Sequence, residues 1–516
     1  GTYKIGDTIS IETGWSEPVT IQEAIFKTAI DNSLQILPSN GSGGDNFGRS
    51  VDIDGNYALV GAYRKDNDKG SAYLYKFSEA GNGVLSIDNS LQILESDGAV
   101  DDFLGSSVAI DGNYALVGAY GTPGATFKGS VYLYKFREDN ANASFTIDNS
   151  YRILAYDGAA SDKFGYSVAI DGSYALVGAY AKNSNKGSAY LYKFSESDNE
   201  QANPSFTIDN SYRIIASDGV GGDYFGRSVD IDGSYALIGA YKKDSDKGSV
   251  YLYKFSESGT GQPNASFTID NSYRILASDG VGGDNFGVSV AINGSYALVG
   301  GTGNDEGGSS AGSAYLYKFS ESNNGQANPT FTIDNSYRIL AYDGAASDMF
   351  GRSVDIDGNY ALVGASSGAG FLNDAGSTYL YKFSENSNTS FTIDISYQIL
   401  ASDRASSDHF GISVAIDGNS VLVGAHQNNA GSAYLYNIQN GIYDPSLILS
   451  NGGIATYVDG SGTNILKYNY TVQRGQNTTD LKVQTIELRS LQDQSGGAAL
   501  TLDTPGTKLL AGGLTG

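Results

Sequence analysis

The 516-residue sequence contains no cysteine, two histidines, one tryptophan and one methionine. Without cysteine there is neither a disulfide framework nor a thiolate site for metal or redox chemistry. Two histidines without a third ligand make a weak transition-metal site. No H-E-x-x-H stretch occurs, and no Ser, Cys or Lys sits in a recognisable nucleophile motif. Basic residues are also scarce: 32 Lys and Arg face 57 Asp and Glu, for a net charge of −25. That balance disfavours nucleic acid and anionic membrane surfaces and suits a soluble, cation-rich setting. Apolar runs stay well short of the roughly 18 residues a membrane span needs. Helix formers are sparse against Gly, Ser, Asn, Asp and Tyr, so an almost all-β protein is expected. The chain opens at Gly1 in strand-like sequence and reads as a piece of a longer, extracellular bacterial protein.

What the chain has in abundance is repetition. The unit F-G-x-S-V-x-I-D-G-x-Y-A-L-V-G-A, followed by G-S-x-Y-L-Y-K-F, occurs seven times with small variations. Its glycines fall at Gly48, Gly105, Gly165, Gly226, Gly287, Gly351 and Gly411, in steps of 57, 60, 61, 61, 64 and 60 residues. A fixed period of this size, built from short strands, marks a propeller or solenoid. In the fourth unit, Phe206–Ile215 alternates and reads as a strand, and Ser217–Asp223 is a turn cluster. Ser228–Ile231 and Tyr235–Ala240 are joined by an Asp-Gly hairpin turn, and Ser249–Phe255 alternates again. Four strands per unit match one propeller blade. In chain order they are D, then A, B and C, with D outermost. An extra D-like segment, Ala29–Leu37, precedes the first A strand, and none follows the last C strand, Ser432–Tyr436. The N-terminal segment is therefore expected to complete the seventh blade and leave no edge open.

These paired Phe-Gly and Val-Gly-Ala signatures resemble the FG-GAP family of β-propellers, known from the head of integrin α chains. The resemblance covers roughly residues 25–440 and implies a seven-bladed β-propeller. Members of the integrin type carry an acidic calcium loop between the first two strands of a blade. Here that connection is only Ile-Asp-Gly-Asn or Ile-Asp-Gly-Ser, too short to wrap calcium, so those sites are not expected.

The two ends lie outside the repeat. Residues 1–22 and 442–516 resemble the first and remaining strands of an Ig-like repeat of large, RTX-type bacterial surface adhesins. Neither end alone has the roughly seven strands of a sandwich. The expected fold is thus all-β, with a seven-bladed propeller (23–441) inserted into a discontinuous Ig-like β-sandwich (1–22 and 442–516). The resemblance implies structural calcium near strand ends of the sandwich, where Glu12, Glu17, Asp459, Asp480 and Asp493 fall.

Strand direction places the D–A and B–C loops on one outward face. The D–A loops carry acidic pairs five apart, including Asp218/Asp223, Asp279/Asp284 and Asp343/Asp348. Two carboxylates around a Gly-rich turn can hold calcium; the plainer reading is that they cap backbone N–H groups of the turn. The B–C loops differ between units, as binding loops on a rigid scaffold do. Among them Phe127 and Phe371-Leu372 are apolar tips, and Asn304-Asp305-Glu306 is an acidic patch. Tyr63, Tyr120, Tyr180 and Tyr241 follow strand B, where they can stack on sugar rings or pack between blades. His409 and His426 both fall on the outward face of the seventh blade. Units 1, 4 and 6 share an Arg and an Asp three apart (Arg49/Asp52, Arg227/Asp230, Arg352/Asp355), which strand alternation places on opposite faces.

The resulting expectation is a non-enzymatic, monomeric ligand-binding module of a bacterial cell-surface adhesin, set among tandem domains. Its propeller loops would bind a carbohydrate or protein on another cell or surface. A propeller-based polysaccharide-degrading enzyme and a structural spacer are the alternatives.

Overall fold

Every repeat turns its alternating and β-rich stretches into the same four strands. In blade 1 these are A (Phe47–Asp54), B (Tyr57–Ala62), C (Ser71–Glu79) and D (Leu85–Ile93). Seven four-stranded antiparallel sheets of this kind make the propeller. The computed structural model describes residues 8–21 and 26–442 apart from the short segments 81–83, 96–97, 122–127, 140–143, 197–204, 259–265, 306–307, 323–329, 368–373, 386–389 and 428. It further describes 446–449, 454–459, 463–471, 483–486, 491–493 and 508–511, with side chains described within 33–438.

The seventh blade takes A (Val414–Asp417), B (Ser420–Ala425) and C (Ser432–Ile442) from the end of the repeats. Its outer strand is Phe26–Ile36, from the beginning of the chain. Gln35 donates to the Ser432 hydroxyl at 3.1 Å and the Tyr434 hydroxyl at 3.2 Å, which pins the end of this strand to the start of strand C. The ring is closed between the two ends of one chain.

Strand B is buried at nearly every position, as a strand covered on both faces must be. The core lies between blades rather than within them. One apolar cluster joins Leu176 and Leu191 of blade 3 to Phe225 and Ile238 of blade 4, and another joins Leu422 of blade 7 to Phe47 of blade 1. The Phe of each Phe-Gly pair is fully buried, edge-on to the tyrosines of its own strand C, as Phe47 is to Tyr73 at 5.4 Å. The lysine of Y-L-Y-K-F reaches the next blade, as Lys76 reaches Glu138 at 2.6 Å.

Two further devices lock neighbouring blades. The glycine that precedes the last Ala of strand B faces the Phe-Gly glycine of the next blade: a Cβ on Gly61 would overlap the carbonyl of Gly105. On the opposite face, the Asp of each A–B turn accepts a hydrogen bond from the turn glycine N–H of the following blade. Asp54 accepts from Gly112, Asp357 from Gly418, and Asp417 closes the circle by accepting from Gly55. In blade 5 the acceptor is the Asn293 side chain.

The chain divides into two compact units, Ile30–Ile438 and the combined segments Gly1–Ala29 and Gln439–Gly516. In the second unit Thr8–Ile21 pairs antiparallel with Thr463–Thr471, so both ends of the chain share one sheet of seven strands. A second, facing sheet, which a sandwich requires, is not among the described residues. The side chains of Glu12, Glu17, Asp459, Asp480 and Asp493 lie outside the described residues.

Candidate functional site

The D–A loops are built as turns, and their acidic pairs are part of the construction. The second carboxylate of each pair caps the turn in all seven blades; Val220 N donates to Asp223 at 2.7 Å, Val281 N to Asp284 at 2.7 Å and Ala345 N to Asp348 at 2.7 Å. The first accepts from a strand C tyrosine: Tyr251 to Asp218 at 2.6 Å, Tyr315 to Asp279 at 2.9 Å and Tyr379 to Asp343 at 2.7 Å.

In blades 1, 3 and 4 a lysine fills the space between the two. Lys243 Nζ donates to the Asp218 carbonyl at 2.8 Å and to Asp223 Oδ2 at 3.0 Å, with both side chains 4% exposed. Lys65 and Lys182 do the same against Asp45 and Asp162. The residues proposed as calcium ligands at Asp218 and Asp223 thus do not fit the ion, because an ammonium stands where it would bind. At Asp279/Asp284 and Asp343/Asp348 the carboxylates are committed to turn N–H and side-chain donors, with Arg338 on Asp279 and Gln398 on Asp343. Among the described residues no three His, Asp or Glu side chains gather as a metal site.

The same three lysines explain their B–C loops. After each comes a left-handed turn, Asp66-Asn67-Asp68, Asn183-Ser184-Asn185 or Asp244-Ser245-Asp246, with φ between 53° and 65°. Asn and Asp tolerate that conformation better than other L-residues. These three loops are one recurring device, although their sequences looked like variable binding loops. Asn304 stands at the lysine position of blade 5, buried beside Tyr315 rather than in an acidic surface patch. Asp305 accepts from Ser310 N at 2.8 Å within its own loop. Phe127, Phe371, Leu372 and Glu306 lie outside the described residues.

The tyrosines after strand B meet a second set of residues that the sequence did not single out. Tyr63, Phe103, Tyr120, Tyr166, Tyr180, Tyr224 and Tyr241 form one chain of ring contacts with centroids 4.6–5.9 Å apart, crossing blades 1 to 4. All seven are half-buried. Cations sit over several faces: Lys163 4.7 Å from the Tyr120 centroid, Arg227 4.4 Å from Tyr166 and Lys242 5.5 Å from Tyr224. Phe103 and Tyr224 occupy the residue before the Phe-Gly position, which has φ of 53–59° in all seven blades. In blade 7 the rings of His409 and His426 lie 5.3 Å apart, centroid to centroid. Burial and the neighbouring Arg49 bring His426 down to about 3, which keeps it neutral.

The arc borders one mouth of the central channel, a cavity of about 250 Å³ lined by Arg49, Arg227, Arg352, Tyr63, Tyr120 and Tyr166 among others. The arginine of each pair lines the channel mouth whereas the aspartate does not, and a β-bulge precedes the pair in two of the three blades. In blades 1 and 6 the A–B register skips between Phe47 and Ser50 and between Phe350 and Ser353. The bulged Gly48 and Gly351 have φ of 84° and 86°, and the arginine that follows is re-aimed into the channel. The aspartates lie on the inner strand beyond the bulge. Each accepts an edge N–H of the next blade: Asp52 from Ile110, Asp230 from Ile292 and Asp355 from Ile416, all at 2.7 Å.

Burial pushes Asp52 and Asp230 up to about 7, and burial with the charges of Asp52 and Asp230 holds Asp355 well above the carboxylate range. A raised folded-state pKa means that the native protein keeps protons which the unfolded chain has released above about pH 4. Stability from these groups is complete at the acid end and is lost as pH rises through about 7. His426, with its lowered pKa, works in the opposite direction below its unfolded value, one group against three. The melting temperature should therefore be higher at pH 5 than at pH 8, and D52N/D230N/D355N should reduce the difference. An unchanged slope in that variant would refute the assignment.

A closed ring of seven four-stranded antiparallel blades defines a β-propeller, an architecture that by itself assigns no ligand. The FG-GAP repeat profile matches seven times, at residues 33–75, 90–134, 149–192, 210–253, 271–317, 335–381 and 397–436. These segments cover more than half of the chain, which belongs to the FG-GAP repeat family. No curated protein matches it.

Proposed function

We propose that this propeller is a non-catalytic ligand-binding domain of a bacterial cell-surface adhesin, and that its outward face binds a carbohydrate on another cell or surface. The observation that carries the reading is the arc of seven half-buried rings beside the channel mouth. Aromatic faces next to a concave, hydrogen-bonding cavity suit the apolar faces of sugar rings. The rings also join neighbouring blades, so the binding surface is held rigid by the packing that forms it. Shallow recognition of this kind gains strength from many copies at a surface. The channel aspartates, which a hydrolytic reading would use, are engaged by strand N–H groups of the wall.

A glycan array of the purified chain, run with calcium and with EDTA, tests the reading and the expected calcium together. Binding to one sugar family is expected. Tyr180→Ala and Tyr241→Ala should each weaken that binding roughly tenfold, as loss of an aromatic anchor does. Each variant also loses ring contacts between blades, so binding is compared at a temperature well below the melting point of both. A blank array, or binding indifferent to both substitutions, would overturn the reading.

A further inference from the structure

The residue after the Phe-Gly pair (Leu-Gly in blade 2) lines the channel mouth in six blades, as Arg49, Ser106, Tyr166, Arg227, Val288 and Arg352, and is Ile412 in the seventh. Three arginines therefore enter a single cavity, together with tyrosines of the arc. None of the three has a carboxylate within 4.0 Å among the described residues. The strongest charge effects on Arg352 come from Arg227 and Arg49, which with burial lower it to about 10. Burial raises the Tyr166 hydroxyl, but the three guanidiniums outweigh it and bring it below its ordinary value. The channel aspartates do not neutralise this cluster, since each is hydrogen-bonded to the next blade and feels chiefly its fellow carboxylates.

Like charges held together without a counter-ion are costly. The fold does not need them, because Ser106, Val288 and Ile412 occupy the same position in other blades on the same kind of backbone. The arrangement is also unexpected in a chain of net charge −25. Guanidinium groups present paired N–H donors that match carboxylate and sulfate oxygens. Arg227 already lies against the Tyr166 face at 4.4 Å, which limits the freedom it loses on binding.

We propose that the channel mouth binds the anionic group, a carboxylate or a sulfate ester, of an acidic sugar residue, held by Arg49, Arg227 and Arg352 while Tyr63 and Tyr120 flank the ring. This deepens the carbohydrate reading above and rests on it. The arc supplies faces to stack on, and the arginines select which sugars are kept.

The test is calorimetric titration of the intact chain with trigalacturonate, a sulfated galactotriose and neutral galactotriose. At least one acidic trisaccharide should bind roughly tenfold or more tightly than the neutral one, the margin expected of charge-assisted hydrogen bonds. That advantage should shrink as salt is raised. Arg352→Ser and Arg227→Ser, each installing the residue that blade 2 carries naturally, should lose it while melting no lower than the parent. Equal binding of acidic and neutral sugars overturns the anion site and leaves the carbohydrate reading standing. So does an acidic preference retained in both variants, which would move the anion elsewhere. No binding of any of the three overturns both readings.

Discussion

Gly48→Ala should lower the melting temperature by roughly 3–5 °C, corresponding to about 3–4 kcal/mol in a domain of this size. Gly48 has φ of 84°, and a Cβ there would overlap the carbonyl oxygen of Ser432 and lie 3.1 Å from the amide nitrogen of Ala425. Both neighbours are backbone of blade 7, so relief requires one blade to move away from the next. That separation would strain the junction at which the chain closes its ring. Gly55→Ala is the matched comparison, with φ of 53° and no atom within 4 Å of the added carbon. It carries only the conformational cost of a left-handed residue, about 1–2 kcal/mol. Thermal melts of the two variants side by side decide the matter. Equal losses would mean that blade contact at the Phe-Gly glycine is not tight.

The second large effect belongs to Lys243. Lys243→Ala should cost about 3–5 kcal/mol, because it leaves Asp223 as a buried carboxylate without its cation. The ammonium also holds the Asp218 carbonyl at 2.8 Å, so the D–A and B–C loops of blade 4 lose their link. Lys243→Met combined with Asp223→Asn should recover much of the loss. The amide oxygen can still cap Val220 N, and no charge is left unpaired. Urea unfolding of the single and double variants measures this. A single-variant loss below about 1 kcal/mol would show that water reaches the pair.

Much of the fold could be read because the repeat prints the same instructions seven times. Strand, hairpin turn and buried strand B have local signatures, and the surplus Ala29–Leu37 segment identified the closing strand by simple counting. The acidic pairs were legible as turn caps for the same reason: a residue needed in all seven turns is serving the turn. The site was less legible, because its parts are set by contacts between units. Lys243 looks like any surface lysine until strand B delivers it to the D–A loop of its own blade. Alternation separates Arg49 from Asp52, but the bulge at Gly48 that precedes them has no local signature apart from the glycine itself. Phe103 and Tyr224 occupy a position filled elsewhere by Asn, Lys, Met or His, and Tyr166 one filled by Arg, Ser, Val or Ile, so no motif marked them. One signal was available, however. Positions that vary inside an otherwise constant repeat, such as the one after Phe-Gly, are where a symmetric scaffold can hold an asymmetric site.

The girdle of A–B turns has a bearing on the size of the ring. Each turn offers one side-chain oxygen forward, the Asn293 amide in blade 5 and a carboxylate in the others, and one glycine N–H backward, so the pairing runs from Asp54 around to Asp417 and back to Gly55. Adding or removing a whole repeat would add or remove one donor and one acceptor together. Nothing in that girdle counts blades. The number must instead be set by wedge angle, at points such as Gly61 against Gly105 where backbones touch with no side chain between them. On this view the smallest residues in the chain define its circumference, and the aspartates only hold whatever circle the glycines have drawn.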